Sequence, residues 1–386
     1  MEDLDRRLLL GSAGLVGLAA LASKGTAGPL NPPAGPVAPT GRTLDAVEPR
    51  KPLNATTAPG TAFSMHYITQ PGSYYLTGDV VGEAGKNGIF IEASDVHIDL
   101  MGFRVLGVPG SQTGIAQANA AGARGVSIAN GSVRGWGGSG ISASVTGTRV
   151  ERVRSSGNAF SGIETNNSSV ISDCVCHGNG SRGLSAGNGA TVSRCTCEGN
   201  GAGFVLFGMA TLNECGAHNN TGHGFDGQRF TARNCAASVN GGNGFNMETG
   251  ASALQCVAHQ NSGHGIRVVN GLVRECQVQT NGLHGILVEG SSAVRGNHCV
   301  GNGVVLSGYG IAVTGTRCRI DENHCVGNDR GIDVTGSANL IIRNFVGGNN
   351  GGFGYAVVGG NLFGPNVVPA NNQINVGTNP HANYEY

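Results

Sequence analysis

A repeat of about 20 residues constrains this 386-residue chain more than any other feature. A glycine followed by an apolar residue recurs along the chain, and the steps between successive pairs are 22, 21, 20, 21, 20, 21, 20, 25 and 21 residues. The glycines of these pairs are Gly140, Gly162, Gly183, Gly203, Gly224, Gly244, Gly265, Gly285, Gly310 and Gly331. Two further pairs, Gly88-Ile89 and Gly114-Ile115, extend the series upstream. Self-similarity at this period is typical of a solenoid.

Two other columns of residues keep the same register. The first is asparagine, at positions Asn158, Asn179, Asn200, Asn220, Asn240, Asn261, Asn281, Asn302, Asn328 and Asn349. The second lies five residues before the last nine of these, at positions Cys174, Cys195, Cys215, Cys235, Cys256, Cys276, Asn297, Asn323 and Asn344. Three columns in register through nine repeats indicate that equivalent side chains lie above one another.

The composition of the repeat favours strands over helices. Glycine accounts for 68 of the 386 residues, and glycine and asparagine are poor helix formers. The unit contains short alternating segments such as Ile266-Arg267-Val268, and it is too short for two packed helices. We therefore expect each unit to form one winding of a parallel β-solenoid, with an asparagine ladder along the stack and an apolar ladder inside it. The members of the apolar ladder are Ile163, Leu184, Phe204, Phe225, Phe245, Ile266 and Ile286.

Two segments carry a resemblance to a known group of proteins. The sequences CTCEGNG at residues 195–201 and NGSVRGWG at residues 130–137 resemble repeats of right-handed parallel β-helix proteins of the pectate-lyase-like superfamily, in particular exported bacterial members. The resemblance covers about residues 60–375. It implies an all-β, right-handed, single-stranded parallel β-helix of about 12 coils, with an N-terminal cap and an irregular C-terminal tail. Because this architecture hosts lyases, hydrolases, epimerases, adhesins and inert scaffolds, it does not specify an activity.

The N-terminus has the pattern of an export signal. Arg6 and Arg7 precede an apolar run of 15 residues at 8–22, which is too short to span a bilayer comfortably. The adjacent arginines resemble a twin-arginine signal, and Ala20-Leu21-Ala22 offers a small-residue cleavage site. An uncleaved N-terminal anchor is the alternative. We expect the protein to be exported to the periplasm, the cell surface or the medium, with no membrane span in the mature chain.

The remaining boundaries follow from composition. We predict the signal peptide at residues 1–25 and a Pro/Gly-rich linker at 26–60, since proline favours extended backbone there. The β-helix with its N-terminal cap is predicted at 61–360, the cap being the segment 67–76. The aperiodic tail at 361–386 is predicted to cover the other end of the solenoid.

Cysteine and histidine offer weak signals of chemistry. Cys174 and Cys176 have the spacing of a zinc-binding fragment, but asparagine or alanine replaces them in other repeats. We predict no metal site and mostly reduced, buried thiols, with disulfides between coils as the alternative. His223, His264 and His284 fill the variable position before a column glycine, and we interpret them as polar surface residues.

Outward positions of the middle coils give the first candidate site. We assign Asp226, Glu248 and Arg267 as candidate catalytic residues, because Asp226 and Glu248 would lie ~8 Å apart on neighbouring strands. That separation suits inverting glycoside hydrolysis, since it leaves room for a water molecule. Arg267 would neutralise a uronate group. A solvated polar face without function is the alternative.

A basic segment near the N-terminus gives the second candidate site. Between residues 100 and 163 there are six arginines and one glutamate, so that 6 − 1 gives a charge of +5. An arginine plane binds carboxylates, and an exposed indole can stack on a sugar ring. The candidate substrate-binding residues are Trp136, Arg134, Arg152 and Arg154. The alternative is that the indole packs against the cap.

Two functions agree with these observations. The first is an exported β-helix that binds an anionic polysaccharide or serves as a scaffold at the cell envelope. The second is a polysaccharide lyase or inverting glycoside hydrolase acting on uronic-acid polymers. No cofactor is predicted; calcium is implied only by the resemblance, and the chain has no Asp-rich calcium repeat. The formal charge of zero argues against a nucleic-acid partner, and the sequence does not specify an oligomeric state.

Overall fold

The structure is a computed structural model that describes residues 49–118, 125–303, 308–350, 354–368 and 379–386. Within these ranges every regular element is a strand, and no helix there could cross a membrane. The strands form two parallel sheets of 14 and 28 members. The predicted all-β parallel β-helix is confirmed. The predicted signal peptide at 1–25 lies outside the described residues.

Each winding contributes up to three strands, and we call the surfaces that these strands form the first, second and third faces. The smaller sheet makes the first face. Its strands, in spatial order, are Ser64–Ile68, Asn87–Ile91, Ile115–Gln117, Ile141–Ala143, Ile163–Thr165, Arg182–Ala186, Ala202–Phe207, Phe225–Gln228, Phe245–Met247, Ile266–Val269, Ile286–Glu289, Tyr309–Val313, Arg330–Val334 and Tyr355–Val357.

The larger sheet bends to make the other two faces, because the long strands Ser127–Arg134 and Arg149–Ser156 span both. The remaining strands of the second face are Lys51–Pro52, Gly72–Tyr75, Val96–Asp99, Val170–Ser172, Thr191–Ser193, Thr211–Asn213, Thr231–Arg233, Ser252–Leu254, Leu272–Arg274, Ala293–Arg295, Arg319–Asp321, Leu340–Ile342 and Leu362–Phe363. Those of the third face are Val80–Val81, Arg104–Leu106, Val175–His177, Thr196–Glu198, Gly216–His218, Ala236–Ser238, Val257–His259, Gln277–Gln279, His298–Val300, His324–Val326, Phe345–Gly347, Asn366–Val367 and Asn383–Glu385.

The first-face register stacks equivalent apolar residues inside the solenoid. Leu184 pairs with Phe204, and Phe204 with Phe225. The ring centroids of Phe204 and Phe225 are 4.8 Å apart and those of Phe225 and Phe245 are 4.7 Å apart, with interplanar angles of 4°. All seven residues of the predicted apolar ladder are fully buried. The ladder is therefore confirmed, and its burial supplies much of the hydrophobic stabilisation.

The asparagine column forms a continuous hydrogen-bonded ladder. Nδ2 of Asn158 donates to Oδ1 of Asn179 over 2.9 Å, and Nδ2 of Asn179 donates to Oδ1 of Asn200 over 2.9 Å. The same Oδ1 atoms accept main-chain N–H groups, as from Asn179 N to Asn200 Oδ1 at 2.9 Å. Each side-chain amide thus provides hydrogen-bond partners for the preceding winding. Such partners are required because these polar side chains are buried.

Close approach, and not backbone angle, explains the column glycines. Gly162 has no positive φ, so its backbone angle does not require glycine. A Cβ on Gly162 would lie 2.6 Å from the carbonyl oxygen of Gly183 and 2.8 Å from Nδ2 of Asn179. Only glycine leaves space for the asparagine ladder at this position.

The eleven cysteines are all buried, as predicted, and no disulfide joins them in the structure. Their column continues the same bonding pattern: Cys256 N donates to Sγ of Cys276 over 3.5 Å, and Cys276 N donates to Oδ1 of Asn297 over 2.9 Å. Thiol and amide are therefore interchangeable acceptors in this column. Burial raises the pKa of the Cys197 thiol. No group of three or more metal ligands occurs within the described ranges.

Both ends of the solenoid differ from the sequence expectation. Lys51–Pro52 pairs with the segment Tyr74–Tyr75, so regular structure begins inside the predicted linker 26–60. The segment 67–76 belongs to regular windings and is not a cap, because its residues pair in parallel with the next coil. At the other end, Leu362–Phe363 and Asn383–Glu385 also join the second and third faces. The 14 first-face strands therefore exceed the predicted number of about 12 coils.

Candidate functional site

A chain of polar side chains crosses four neighbouring strands of the first face. We call it the first-face cluster, and it consists of Asp226, Asn246, Arg267 and Glu289. Nδ2 of Asn246 donates to Oδ1 of Asp226 over 2.8 Å, and Nη1 of Arg267 donates to Oδ1 of Asn246 over 3.3 Å. Nε of Arg267 and Oε2 of Glu289 form an ion pair of 2.6 Å. The cluster therefore joins two carboxylates, an amide and a guanidinium in one network.

The strand register puts these groups together. Asp226 pairs with Asn246, and Asn246 pairs with Arg267, each at the outward position that follows a buried residue of the apolar ladder. Side chains alternate between the two sides of a strand, so burial of Phe225, Phe245 and Ile266 directs the polar neighbours outward. Sequence periodicity therefore positions the cluster.

The structure unites two of the three predicted catalytic residues. Asp226 and Arg267 both bond to the amide of Asn246. Glu248 is exposed at the next outward position, and its side chain has no hydrogen bond or ion pair within the described residues. Glu248 directly follows the neighbouring strand Phe245–Met247, and because Gly227 pairs with Met247 its position is diagonal to Asp226, at a separation of ~8 Å. Sequence reasoning missed that Glu289 pairs with Arg267.

The histidine column is half-buried and structured, contrary to the interpretation of these residues as surface groups. Nδ1 of His223 accepts the N–H of Asn243 over 2.8 Å, Nδ1 of His264 accepts that of His284 over 3.2 Å, and Nδ1 of His284 accepts that of Tyr309 over 3.0 Å. Since Nδ1 is an acceptor in each ring, the proton of the neutral imidazole resides on Nε2. The rings of His264 and His284 stack with centroids 5.0 Å apart.

The histidine column borders the first-face cluster. Asn243 occupies the same column, accepts the N–H of His264 over 2.9 Å and donates from Nδ2 to Oδ1 of Asn246 over 3.2 Å. Burial, together with the nearby His284 and Arg267, lowers the pKa of His264 to about 4. His264 is therefore neutral at physiological pH and offers an N–H donor beside the cluster.

Towards the N-terminal end, the first face continues with a groove and an exposed aromatic ring. Ser142–Ser144 and Glu164–Asn166 line a shallow groove with a volume of about 320 Å³. Phe207, which lies between this groove and the cluster, is 49% exposed. The guanidinium carbon of Arg182 lies 5.4 Å from the centroid of the Phe207 ring. Phe207 pairs with Gln228, which shares a strand with Asp226, so Phe207 and Asp226 lie on adjacent strands. Groove, aromatic ring and cluster thus follow one another along a single face.

The structure contradicts the predicted sugar platform. Trp136 is only 1% exposed, and its Nε1 donates to the carbonyl oxygen of Val105 over 3.0 Å. Glycines from other windings make room for the indole: a Cβ on Gly82 or Gly88 would lie 2.7 Å or 2.9 Å from it. Trp136 is therefore a core residue, and the prediction that it stacks on a substrate is wrong.

The predicted arginine patch divides into paired and unpaired members. Arg152 donates to Oδ1 of Asn130 over 2.7 Å and lies 3.5 Å from the carboxylate of Glu151. Arg134 and Arg154 are exposed on the third face and have no ion pair within the described part of the chain. Only these two residues of the patch present an uncommitted positive charge.

The comparisons agree with this architecture. Residues 113–272 match the family described as "Right handed beta helix region". This match over part of the chain and the two parallel sheets of the structure confirm the predicted parallel β-helix fold. No curated protein matches the sequence.

Two solved structures of similar shape are mannuronan C-5 epimerase modules from Azotobacter vinelandii. The AlgE6 A-module is 16% identical with a TM-score of 0.52, and the match covers 81% of this chain and 89% of that module. The AlgE4 A-module is 16% identical with a TM-score of 0.50, and the match covers 81% and 90% of the two chains. At this identity the likeness concerns the fold alone.

Proposed function

We propose that this is an exported protein that binds a polysaccharide along its first face, from the groove at Ser142–Ser144 to Glu289. The observation that carries the proposal is the half-buried network of Asp226, Asn246 and Arg267, which presents carboxylate, amide and guanidinium groups on one regular surface. These groups can donate to and accept from sugar hydroxyls.

The dimensions of the face suit an extended polymer. From Ile141–Ala143 in the groove to Ile286–Glu289 the first face spans eight strands, and the seven intervals of ~4.8 Å between them amount to about 34 Å. The exposed ring of Phe207 offers an apolar surface to sugar C–H groups within this length. A surface this long would contact several sugar units at once, and the contribution of each unit adds to the affinity.

The test is retention of the protein in gels that contain one polymer at a time. Mannuronan is the first polymer to try, because the structurally similar modules are named for it; polygalacturonate and a neutral glucan complete the panel. We expect retention by at least one polymer and loss of that retention in Asn246→Ala. Asn213→Ala on the second face is the matched control and should be retained like the unaltered protein. Equal retention of both variants would contradict binding at the cluster.

The second candidate function is cleavage of the bound polymer as a lyase or inverting hydrolase. It is favoured by the diagonal placement of Asp226 and Glu248, with room for a water molecule between them. In the hydrolase, one carboxyl group protonates the leaving oxygen and the other activates the water. Release of reducing ends or unsaturated products, abolished in Asp226→Asn and in Glu248→Gln, supports this function. Retention without products supports binding alone.

Export is part of the proposal and has its own test. Replacing Arg6 and Arg7 by lysine should trap the full chain in the cytoplasm if residues 1–25 act as a twin-arginine signal. Immunoblots of cytoplasmic and periplasmic fractions measure the distribution. An unchanged distribution would contradict that route.

A further inference from the structure

Arg182 and Phe207 form a side-chain pair on the first face outside the cluster. Their positions lie on neighbouring strands, Arg182–Ala186 and Ala202–Phe207, at opposite ends of the face. The residue that faces Phe207 on the preceding winding is Gly187, since Ala186 pairs with Leu206. The guanidinium carbon of Arg182 lies 5.4 Å from the centroid of the Phe207 ring.

The charge of Arg182 is uncommitted, which distinguishes it from most arginines of the structure. Most arginines of the described residues form an ion pair with a carboxylate. Examples are Arg194 with Asp173 at 2.7 Å and Arg267 with Glu289 at 2.6 Å. Arg182 has no ion pair within the described residues, and its contact is with the face of an aromatic ring. A cation–π contact orients a guanidinium but leaves its N–H edges available for a carboxylate.

We infer that Arg182, held by Phe207, is the subsite that recognises the carboxylate of a uronic-acid unit. The inference rests on the proposed function and names its substrate class. The carboxylate receives two parallel N–H bonds from the guanidinium, while the exposed edge of Phe207 contacts the C–H groups of the same sugar.

The position of the pair sets the path of the polymer. Val205 of the Phe207 strand pairs with Asp226, so the next sugar units lie over the first-face cluster. In the other direction the chain enters the groove that contains Glu164 and Asn166. Together with Glu248, the cluster has three acidic groups and one basic group, Arg267. Its net charge is therefore negative, and it does not attract a polyanion by itself. Arg182 supplies the positive charge that a uronate requires.

The experiment measures binding of a defined oligouronate and of its carboxyl-reduced analogue by calorimetry. Arg182→Gln should weaken oligouronate binding by about tenfold or more and leave binding of the reduced analogue unchanged. Phe207→Ala should weaken both, since the apolar contact and the orientation of Arg182 are lost. Arg233→Gln, at an exposed second-face arginine that is also without an ion pair in the described ranges, is the matched control and should have no effect.

The outcomes separate this inference from the proposed function. If Arg182→Gln and Arg233→Gln behave alike, or if Arg182→Gln weakens both ligands equally, the carboxylate subsite is wrong although the face still binds sugar. If the unaltered protein binds neither oligomer, the proposed function itself fails, and the subsite fails with it. Circular dichroism of each variant confirms that the solenoid is intact before binding is compared.

Discussion

Asn220 donates from Nδ2 to Oδ1 of Asn240 over 2.9 Å, and this bond is one step of a ladder that runs through the solenoid. Asn220 also donates to the carbonyl oxygen of Cys197 over 3.1 Å and accepts the main-chain N–H of Asn200 over 3.0 Å. From Asn158 to Asn349, the side-chain amide of each winding thus bonds to the amide of the next. The ladder is the polar counterpart of the apolar stack, and the two together fix the register.

Asn220→Ala should destabilise the protein by about 2–4 kcal/mol. The substitution leaves a buried carbonyl oxygen and a buried N–H group without partners, and each unsatisfied group costs about 1–3 kcal/mol. The free energy of unfolding in urea measures the loss. Asn213→Ala, on the solvent side of the second face, should change it by less than about 0.5 kcal/mol. Similar losses in the two variants would mean that the ladder contributes little.

Gly162→Ala should destabilise the protein although the backbone angle suits alanine. The added Cβ would lie 2.6 Å from the oxygen of Gly183, so the windings must separate, at a cost above about 2 kcal/mol. Gly78→Ala is the control, because no atom lies within 4 Å of a Cβ there and its φ is not positive. Thermal unfolding of both variants decides between close approach and backbone angle. An unchanged melting temperature of Gly162→Ala would refute the close-approach account.

Stability should fall on acidification because of the histidine column. The pKa of His264 is about 4 in the folded protein and about 6.5 in the unfolded chain, so the unfolded chain binds the proton first. The contribution of His264 is therefore fully present above pH 6.5 and is lost as the pH falls towards 4. Urea unfolding at pH 7 and at pH 4.5 measures the difference.

His264→Asn tests whether this residue causes the acid sensitivity. Asn243 already performs the same role in the column with a side-chain oxygen, so asparagine preserves the acceptor without a titrating ring. The variant should lose less stability than the unaltered protein between the two pH values. An identical loss would assign the acid sensitivity to other groups.

The only tryptophan should report a buried environment that polysaccharide does not change. Trp136 is enclosed by glycines and bonded to Val105, so we expect blue-shifted emission, little quenching by iodide and no response to a bound polymer. Trp136→Phe should lower stability through the lost hydrogen bond and leave binding intact. A polymer-induced shift of the emission would indicate that the indole is part of the binding surface after all.

Much of the fold was predictable because the same residue type recurs at one position in successive windings. The asparagine ladder from Asn158 to Asn349 follows directly from this stacking, and so does the apolar ladder in which Leu184 pairs with Phe204. The ends were predicted less well. Lys51–Pro52 lacks the repeated columns, and Asn383 continues the column of Asn344 only after a spacing of 39 residues, so the pairing of both segments is evident only in three dimensions.

The candidate site was predictable only in part. Periodicity brings Asp226 and Arg267 to one face, but it does not specify that Asn246 links them or that Glu289 takes the charge of Arg267. Side-chain rotamers across different columns are not encoded in a repeat. For the same reason the burial of Trp136, which depends on glycines of several windings, could not be derived from its own segment.

A crystal structure of the protein with a bound oligouronate would show which face holds the polymer. We expect sugar density along the first face, with a carboxylate on the guanidinium of Arg182 beside Phe207 and the next units over Asp226 and Asn246. Ordered sugar on the second or third face, with none on the first, would contradict this expectation.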